Sequence, residues 1–510
     1  MRKVGVHHAC DKKVFRYTED SAMKTKINKH PNWRTTSSQR LSYYLGRTGL
    51  YNLQMLIPTF MNLFLIFNGV DLAVVAAITL IVRIIDSVDD VIFGFIVDKI
   101  DIKKNKFLKK IGGDGRYLPW LRCFMYLFPF AILLFFLMPS SLSDGGKLVW
   151  FTVTYLLFDL TFTLVDVPTQ SSLQTVTDVP EERNTMTTYA YLLVTIITVI
   201  TIFAQQILIS EDVGLSIRTV AIACVVIFSA MLFPMPFKIK ETNAELKNTE
   251  QPADENYTIK EMFQAVKSNR PFFINLIAEY CPKFLATGAG VTLFVSFYLY
   301  GSSTAMTIPG IIGSVLMIVV QVFAPKISEK FGNRKALIAS FTVTAICSLT
   351  IYIAGPSRFG VIVAMTILSS AVSGVTTMLS AYIRMQTIEY SKYKTGRDTT
   401  GIYNAINTLF AKISESVGMS LGMFLLSIFG WVTVNAESFA DLAEQGIEQS
   451  ATALSGLWMI NALIPAIGVI LSVITLLFYN LTDEDARLMS QCNVGEITRE
   501  ECEARLSRKY

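Results

Sequence analysis

Histidine is nearly missing from this chain. Its 510 residues include three, His7, His8 and His30, all near the start. That excludes a histidine metal centre or a histidine proton relay from everything that follows. Charge is scarce too, at 17% of residues against about 25% in an ordinary soluble domain. The seven cysteines (10, 123, 224, 281, 347, 492 and 502) have neither metal-ligand nor disulfide-framework spacing, so reduced thiols are expected. No Gly-x-x-x-x-Gly-Lys-Ser/Thr loop occurs, which argues against ATP drive. No nucleophile stands with a base in a recognisable pattern either, so no enzyme, cofactor or bound metal is expected. The first forty residues carry ten Lys or Arg against three acids and have no signal-peptide core.

Apolar residues make up 52% of the chain, and they recur in windows of the roughly 20 residues that cross a bilayer. Twelve spans are expected, at about 42–67, 71–97, 118–138, 147–172, 187–210, 217–236, 272–300, 304–327, 335–354, 358–385, 402–430 and 453–479. This is an all-α membrane protein of two six-helix halves. The expected layout is a basic tail 1–40, a first half 41–236, a linker 237–271, a second half 272–480 and a tail 481–510 ending in a short surface helix. The loop 98–117 carries seven basic residues, whereas 431–452 carries none and instead has Glu437, Asp441, Glu444 and Glu448. The positive-inside rule then puts both termini and the linker in the cytoplasm of a cell whose cytoplasmic membrane holds the protein. The net charge of +5 reflects this topology rather than a nucleic-acid partner.

One stretch stands apart. Leu80–Lys99 reads LIVRIIDSVDDVIFGFIVDK, with Arg83, Asp86, Asp89 and Asp90 inside an apolar run. An Asp at the centre of a span costs roughly 2.5–3.5 kcal/mol on the insertion scale. Spacings of three and four place the carboxylates on adjoining parts of one helical face. They can hold a small cation, take up a proton, or form a structural ion-pair knot with Arg83. Asp159 and Asp166 share a face of the fourth span, ahead of Pro168, Thr169 and Gln170. In the eleventh span Thr408, Lys412 and Glu415 form one stripe. Lys412 would need a carboxylate such as Asp166, Asp86 or Asp90 across a cavity. Glu279 and Lys283, four apart in the seventh span, read as a local ion pair. Arg384 and Glu389 read as a cytoplasmic gate. Tyr43, Tyr44, Tyr51, Phe162, Tyr189, Tyr191 and Tyr298 are candidates to line the cavity.

Gly94-x-x-x-Asp98-Lys99 followed by Lys103-Lys104 recurs as Pro325-x-x-x-Glu329-Lys330 followed by Arg334-Lys335, after the second span of each half. Twelve spans with this loop repeat resemble the major facilitator superfamily, whose halves rock about a central site. Asp98, Lys99, Glu329 and Lys330 are the expected gating residues. The run Arg83–Asp98, with Gly115-Arg116-Tyr117-Leu118-Pro119-Trp120, Asp166-Val167-Pro168, Glu182-Arg183-Asn184 and the pair Thr408 and Lys412, is similar to the glycoside–pentoside–hexuronide:cation symporters. The resemblance implies a cation site at Asp86 and Asp90 with Thr408 nearby, and Asp166 and Lys412 where cation and sugar sites join. It also brings out departures. Leu50 and Tyr51 replace a sugar-gripping Lys-Asp pair of melibiose permease, Tyr191 an arginine, Gln170 a stacking tryptophan, and Asp89 an asparagine. Asp89 and Asp159 could shift cation choice toward protons.

The expected function is secondary symport of a sugar or glycoside-like solute with Na⁺ or H⁺, by a monomer in the bilayer. Substrate contacts are expected from Asp166, Lys412, Gln170, Tyr51, Tyr191 and Asp159. Two alternatives stay open. One is a carrier of the same fold for a lipid-like or other organic solute. The other is a membrane sensor that does not transport.

Overall fold

A computed structural model describes residues 33–82, 102–177, 179–241, 269–287, 291–396 and 400–508. Arg83, Asp86, Asp89, Asp90, Asp98 and Lys99 lie outside the described residues. The described chain is helical. The first group comprises α1 (Ser37–Phe67), α2 (Leu72–Val82), α3 (Lys106–Gly112), α4 (Leu118–Phe136), α5 (Asp144–Val176), α6 (Pro180–Leu208) and α7 (Ile217–Lys238). The second comprises α8 (Arg270–Phe284), α9 (Thr292–Tyr300), α10 (Thr307–Gln321), α11 (Ala324–Phe331), α12 (Asn333–Ala354), α13 (Phe359–Thr395), α14 (Thr400–Ile428), α15 (Phe439–Gln445) and α16 (Ala451–Leu477). Two short helices follow, α17 (Asp483–Asn493) and α18 (Arg499–Arg505). Among the described residues nine helices are long and apolar enough to span a membrane, or ten if α10 and α11, bent by 55°, form one.

The seventh expected span, 272–300, is not one helix. Pro282 lies inside the last turns of α8, and the chain turns at Leu285 before α9 resumes at Thr292. A ring without an N–H weakens the ladder at that point. The break faces a second irregularity, because α16 is wound as a π-helix over Met459–Leu463. The wider turn frees backbone carbonyls, and the Thr287 hydroxyl donates to the Ile460 carbonyl at 2.6 Å. A hydroxyl at one irregular segment therefore satisfies a carbonyl at the other beside a cavity, the setting in which membrane proteins tolerate such backbone.

Close helix contact is set by small residues. A Cβ on Gly418 would stand 2.5 Å from the Lys283 carbonyl oxygen, and one on Gly422 would stand 2.5 Å from that of Thr287. This Gly-x-x-x-Gly spacing presses α14 onto the end of α8.

The two groups repeat one construction at the end carrying the chain termini. In the first, Glu241 follows α7 and accepts the backbone N–H groups of Arg116, Tyr117 and Leu118 at 2.5, 2.9 and 3.4 Å, and the Thr175 hydroxyl at 2.9 Å. A carboxylate thus sits on the N-terminus of α4, where the helix dipole favours it. In the second, Asp483 follows α16 and accepts the Asn333 N–H at the start of α12 at 2.8 Å, and the Gln386 amide of α13 at 2.7 Å. Helix starts match as well. Glu182, fully buried, ties Thr35 ahead of α1 to the Thr177 hydroxyl after α5. Asn269 ahead of α8 donates to the Thr387 carbonyl of α13 and the Tyr403 hydroxyl of α14. Glu329 and Lys330 are exposed on α11, with the Lys330 ammonium over the Phe331 ring.

Candidate functional site

At the opposite end the two groups are locked together. After α14 the chain crosses to the first group. Asn68 and Asn435 form an antiparallel bridge. Ala436 N–H donates to the Phe67 carbonyl at 2.9 Å, Ile217 N–H to that of Glu437 at 3.2 Å and Phe439 N–H to that of Ile209 at 3.4 Å. Phe439, fully buried, meets Phe67 and Phe294 edge-on. One acid joins this lock. Glu211, in the loop after α6, accepts the Ser303 N–H at 3.0 Å and its hydroxyl at 2.5 Å. Burial pushes the Glu211 carboxyl up, but the hydrogen bonds from Ser302 and Ser303 outweigh it and leave the group below its ordinary range. A depressed value stabilises the locked state above the ordinary glutamate range and loses that contribution as pH falls through the lowered one. Glu211→Gln should therefore loosen the lock at neutral pH as acid does in the parent. Spin labels at Asp212→Cys and Thr304→Cys report it: their distance distribution should broaden in both cases. An unchanged distribution would mean the backbone bonds suffice.

Below the lock lies a cavity of about 870 Å³, within the range of small-molecule sites. Residues at the end of α8, the start of α9 and the irregular turn of α16 supply part of its wall through Ala286, Thr292, Trp458 and Asn461. Lys283 and Glu415 give it one charge of each sign, and Gln206, Ser296, Ser369 and Ser370 give it polar groups. The Ser296 hydroxyl is buried without a hydrogen-bond partner among the described residues. Thr292 donates to the Asn461 side chain at 3.3 Å.

Closer to the terminal end, within the first group, a smaller cavity of about 130 Å³ is lined by Tyr43, Arg47, Tyr51, Gln170, Thr187 and Tyr191, among others. Here Arg47 of α1 pairs with Asp166 of α5 at 3.3 Å, with side chains 16% and 21% exposed. Gln170, one turn on, donates to the other Asp166 oxygen at 2.6 Å. Tyr51 has Glu415 and Tyr191 as its electrostatic neighbours, which links this cluster to the stripe on α14.

The structure thus brings Asp166, Gln170, Tyr51 and Tyr191 to one place. Asp159 is buried on α5, Lys412 is half-buried on α14, and the exposed Thr408 hydroxyl returns to its own helix at the Asn404 carbonyl. Arg47 is the addition. No motif carries it, yet it is the one charged residue in 42–67, and that isolation inside an apolar run was the available signal. The expected Glu279–Lys283 pair is replaced. Glu279 pairs with Arg384 of α13 at 3.6 Å, while Lys283, at the last turn of α8, is exposed to the cavity with its ammonium 4.6 Å from the centre of the Tyr280 ring. Glu279 faces the neighbouring helix, so its partner is tertiary rather than local. Glu389 accepts from Asn493 of α17 at 2.8 Å, and so binds the C-terminal segment. Of the aromatic candidates, Phe162 packs on Phe128 and Tyr298 on Trp431.

Residues 42–483 match the family model described as MFS/sugar transport protein. The chain belongs to that family. The transporter is 25% identical over 462 residues to an isoprimeverose transporter of Lactiplantibacillus pentosus, covering 89% of this chain and 90% of that one. It is 23% identical over 423 residues to a glucuronide carrier protein homolog of Escherichia coli (strain K12), covering 82% and 86%. Its fold is that of a bacterial homologue of the human lysosomal transporter Spinster in an inward-facing, unoccupied conformation. The TM-score is 0.56 at 12% identity, over 91% of this chain and 98% of that one. The nucleoside transporter NupG superposes with a TM-score of 0.53 at 13% identity, over 87% and 100%. The transporter is therefore a member of the major facilitator superfamily and not an enzyme, as the symporter-like motifs implied.

Proposed function

We propose that the protein is a symporter of a sugar or glycoside-like solute, driven by Na⁺ or H⁺ and working by alternating access. The observation that carries this reading is the polar cluster of Arg47, Asp166 and Gln170 beside the cavity, with the hydrogen bonds described above between the two groups at one end. The groups correspond to the two six-span halves, 41–236 and 272–480, and the terminal end faces the cytoplasm in a cytoplasmic membrane. A closed outer end then corresponds to an inward-facing state. Asp86 and Asp90, with Asp89 and Thr408, bind the cation; Asp166, Lys412, Gln170, Tyr51, Tyr191 and Asp159 contact the solute or tie it to the cation. Coupling is differential binding between two states. No covalent step is needed. The names of the relatives support a sugar as the solute, and the replacements at Leu50, Tyr51, Gln170 and Tyr191 point away from galactoside recognition as melibiose permease performs it.

The test is solute-stimulated cation flux with purified protein in liposomes. Glycosides, pentosides, uronides and unrelated amphiphiles are each offered with Na⁺ or a pH gradient, beside Asp86→Asn. Flux with one sugar class, abolished by the substitution, is the expected result. Flux with amphiphiles alone would discard the sugar and keep the mechanism. Silence with every solute from folded protein would favour the sensor.

A further inference from the structure

The tail beyond α16 ends in the short, largely exposed helix α18, in line with the surface helix expected there. The tail also folds back on the second group. Leu481, Ala486, Leu488, Met489 and Cys502 are buried. Asp485, also buried, accepts the Ser507 N–H at 2.8 Å and hydroxyl at 2.5 Å. Asp483 and Asn493 bind the polypeptide at Asn333, Gln386 and Glu389. The result is a clasp held across the ends of α12 and α13.

Between this clasp and the end of α13 lies a third cavity of about 450 Å³, lined by Tyr390, Tyr393, Lys394, Arg499, Glu503, Leu506 and Arg508. Three cations face one carboxylate. Their geometry is partly fixed in advance. The Lys394 ammonium donates to the Tyr390 hydroxyl at 3.0 Å, and the Arg499 guanidinium stands 5.2 Å from the centre of the Tyr393 ring. Tyr390 is buried, so the cavity has an aromatic floor. Arg499 pairs with Glu503 at 3.3 Å, both side chains well exposed; such a surface pair is weak and readily exchanged for a better anion. Arginine, lysine and phenol around a concave, half-apolar space are the groups that recognise a phosphoryl group carried on a polar body.

We propose that this cavity binds a phosphoryl group, either of a soluble phosphorylated metabolite or of an anionic phospholipid headgroup. Its position gives the binding a consequence. Helix α13 is continuous from Phe359 to Thr395, and its Ser369 and Ser370 line the large cavity. The two sites are thus joined by one rigid rod, roughly 36 Å apart at about 1.5 Å per residue. A ligand that bridges α18 to α13 braces the clasp on the helix whose other part faces the solute.

The test reads binding rather than transport, so it stands or falls independently of the solute and its coupling ion. Full-length protein in detergent is heated with inorganic phosphate or glucose 6-phosphate. Separately, it is reconstituted in phosphatidylglycerol or in phosphatidylcholine bilayers and heated again. Stabilisation by the soluble probes assigns a metabolite, and stabilisation by phosphatidylglycerol alone assigns a headgroup; either supports the site. Arg499→Gln with Lys394→Gln should weaken the effective probe by about tenfold or more, the worth of a charge-assisted hydrogen bond. Glu503→Gln should tighten it, and Lys109→Gln with Lys110→Gln, on the basic loop elsewhere, should leave it unchanged. The substituted side chains are exposed, and gel filtration verifies that each variant is folded. Absence of stabilisation by every probe, or an equal response in Arg499→Gln/Lys394→Gln, overturns the proposal.

Discussion

Arg47→Ala should reduce solute uptake by about a hundredfold or more while the protein still inserts. The pair it breaks with Asp166 is four-fifths removed from solvent. Removing one member of a buried pair costs about 3–5 kcal/mol because the other charge is stranded. With partial exposure the lower end applies, and each 1.4 kcal/mol is about tenfold in rate when the penalty falls on the transition between states. Gln170 still donates to the carboxylate but carries no charge to offset it. Arg47→Lys keeps the charge but loses the planar fork, so a milder loss of about tenfold is expected. Arg47→Gln with Asp166→Asn removes both charges; thermal stability should recover while uptake stays low. Measured in proteoliposomes, normal uptake by Arg47→Ala would reduce the pair to scaffolding.

Glu182→Ala should be the most destabilising single change at the terminal end. Its carboxylate accepts from the backbone N–H groups of Arg34 and Thr35 at 2.9 and 3.0 Å, from the Thr177 hydroxyl at 2.6 Å and from the Thr35 hydroxyl. Arg40 adds a cation at 3.8 Å. Truncation orphans these donors together, and hydrogen bonds to a charged group contribute about 1.5–3 kcal/mol each. Even with relaxation and water entry, a loss of roughly 3–5 kcal/mol is expected. Glu182→Gln keeps the shape but turns an NH₂ toward other donors, so it should fall between. Tryptophan fluorescence during thermal unfolding in detergent checks the series. A midpoint for Glu182→Ala equal to the parent's would mean that the start of α1 is held by packing alone.

Much of this was legible in the sequence. Hydropathy located α1, α4, α5, α6, α7, α12, α14 and α16 to within several residues; α13 runs ten residues past its expected end at 385, because its last turns are polar and leave the apolar run. Asp166 and Gln170 were legible through their place in an apolar run. The break between α8 and α9 was not: Pro282 is tolerated inside many spans, and what makes it a boundary is the π-helix 170 or so residues later that receives Thr287. Arg47 escaped because a partner on another helix cannot be read from spacing along its own. Glu279 misled for the same reason, since Lys283 was the neighbour in sequence and Arg384 the neighbour in space. The clasp was hidden by composition. Its segment is charged, and only the placement of Ala486, Met489 and Cys502 reveals the buried side.

The lock between the two groups has a further implication for how this family member can change over generations. Much of its hold across the two groups consists of main-chain N–H and carbonyl bonds, at Phe67, Ile209, Ile217, Ala436, Glu437 and Phe439. Such bonds are indifferent to side-chain identity, apart from proline, which has no N–H to give. The exposed side chains of 432–437 are therefore free to drift, and substitutions can accumulate on that face without resetting the contact between the two groups beneath it.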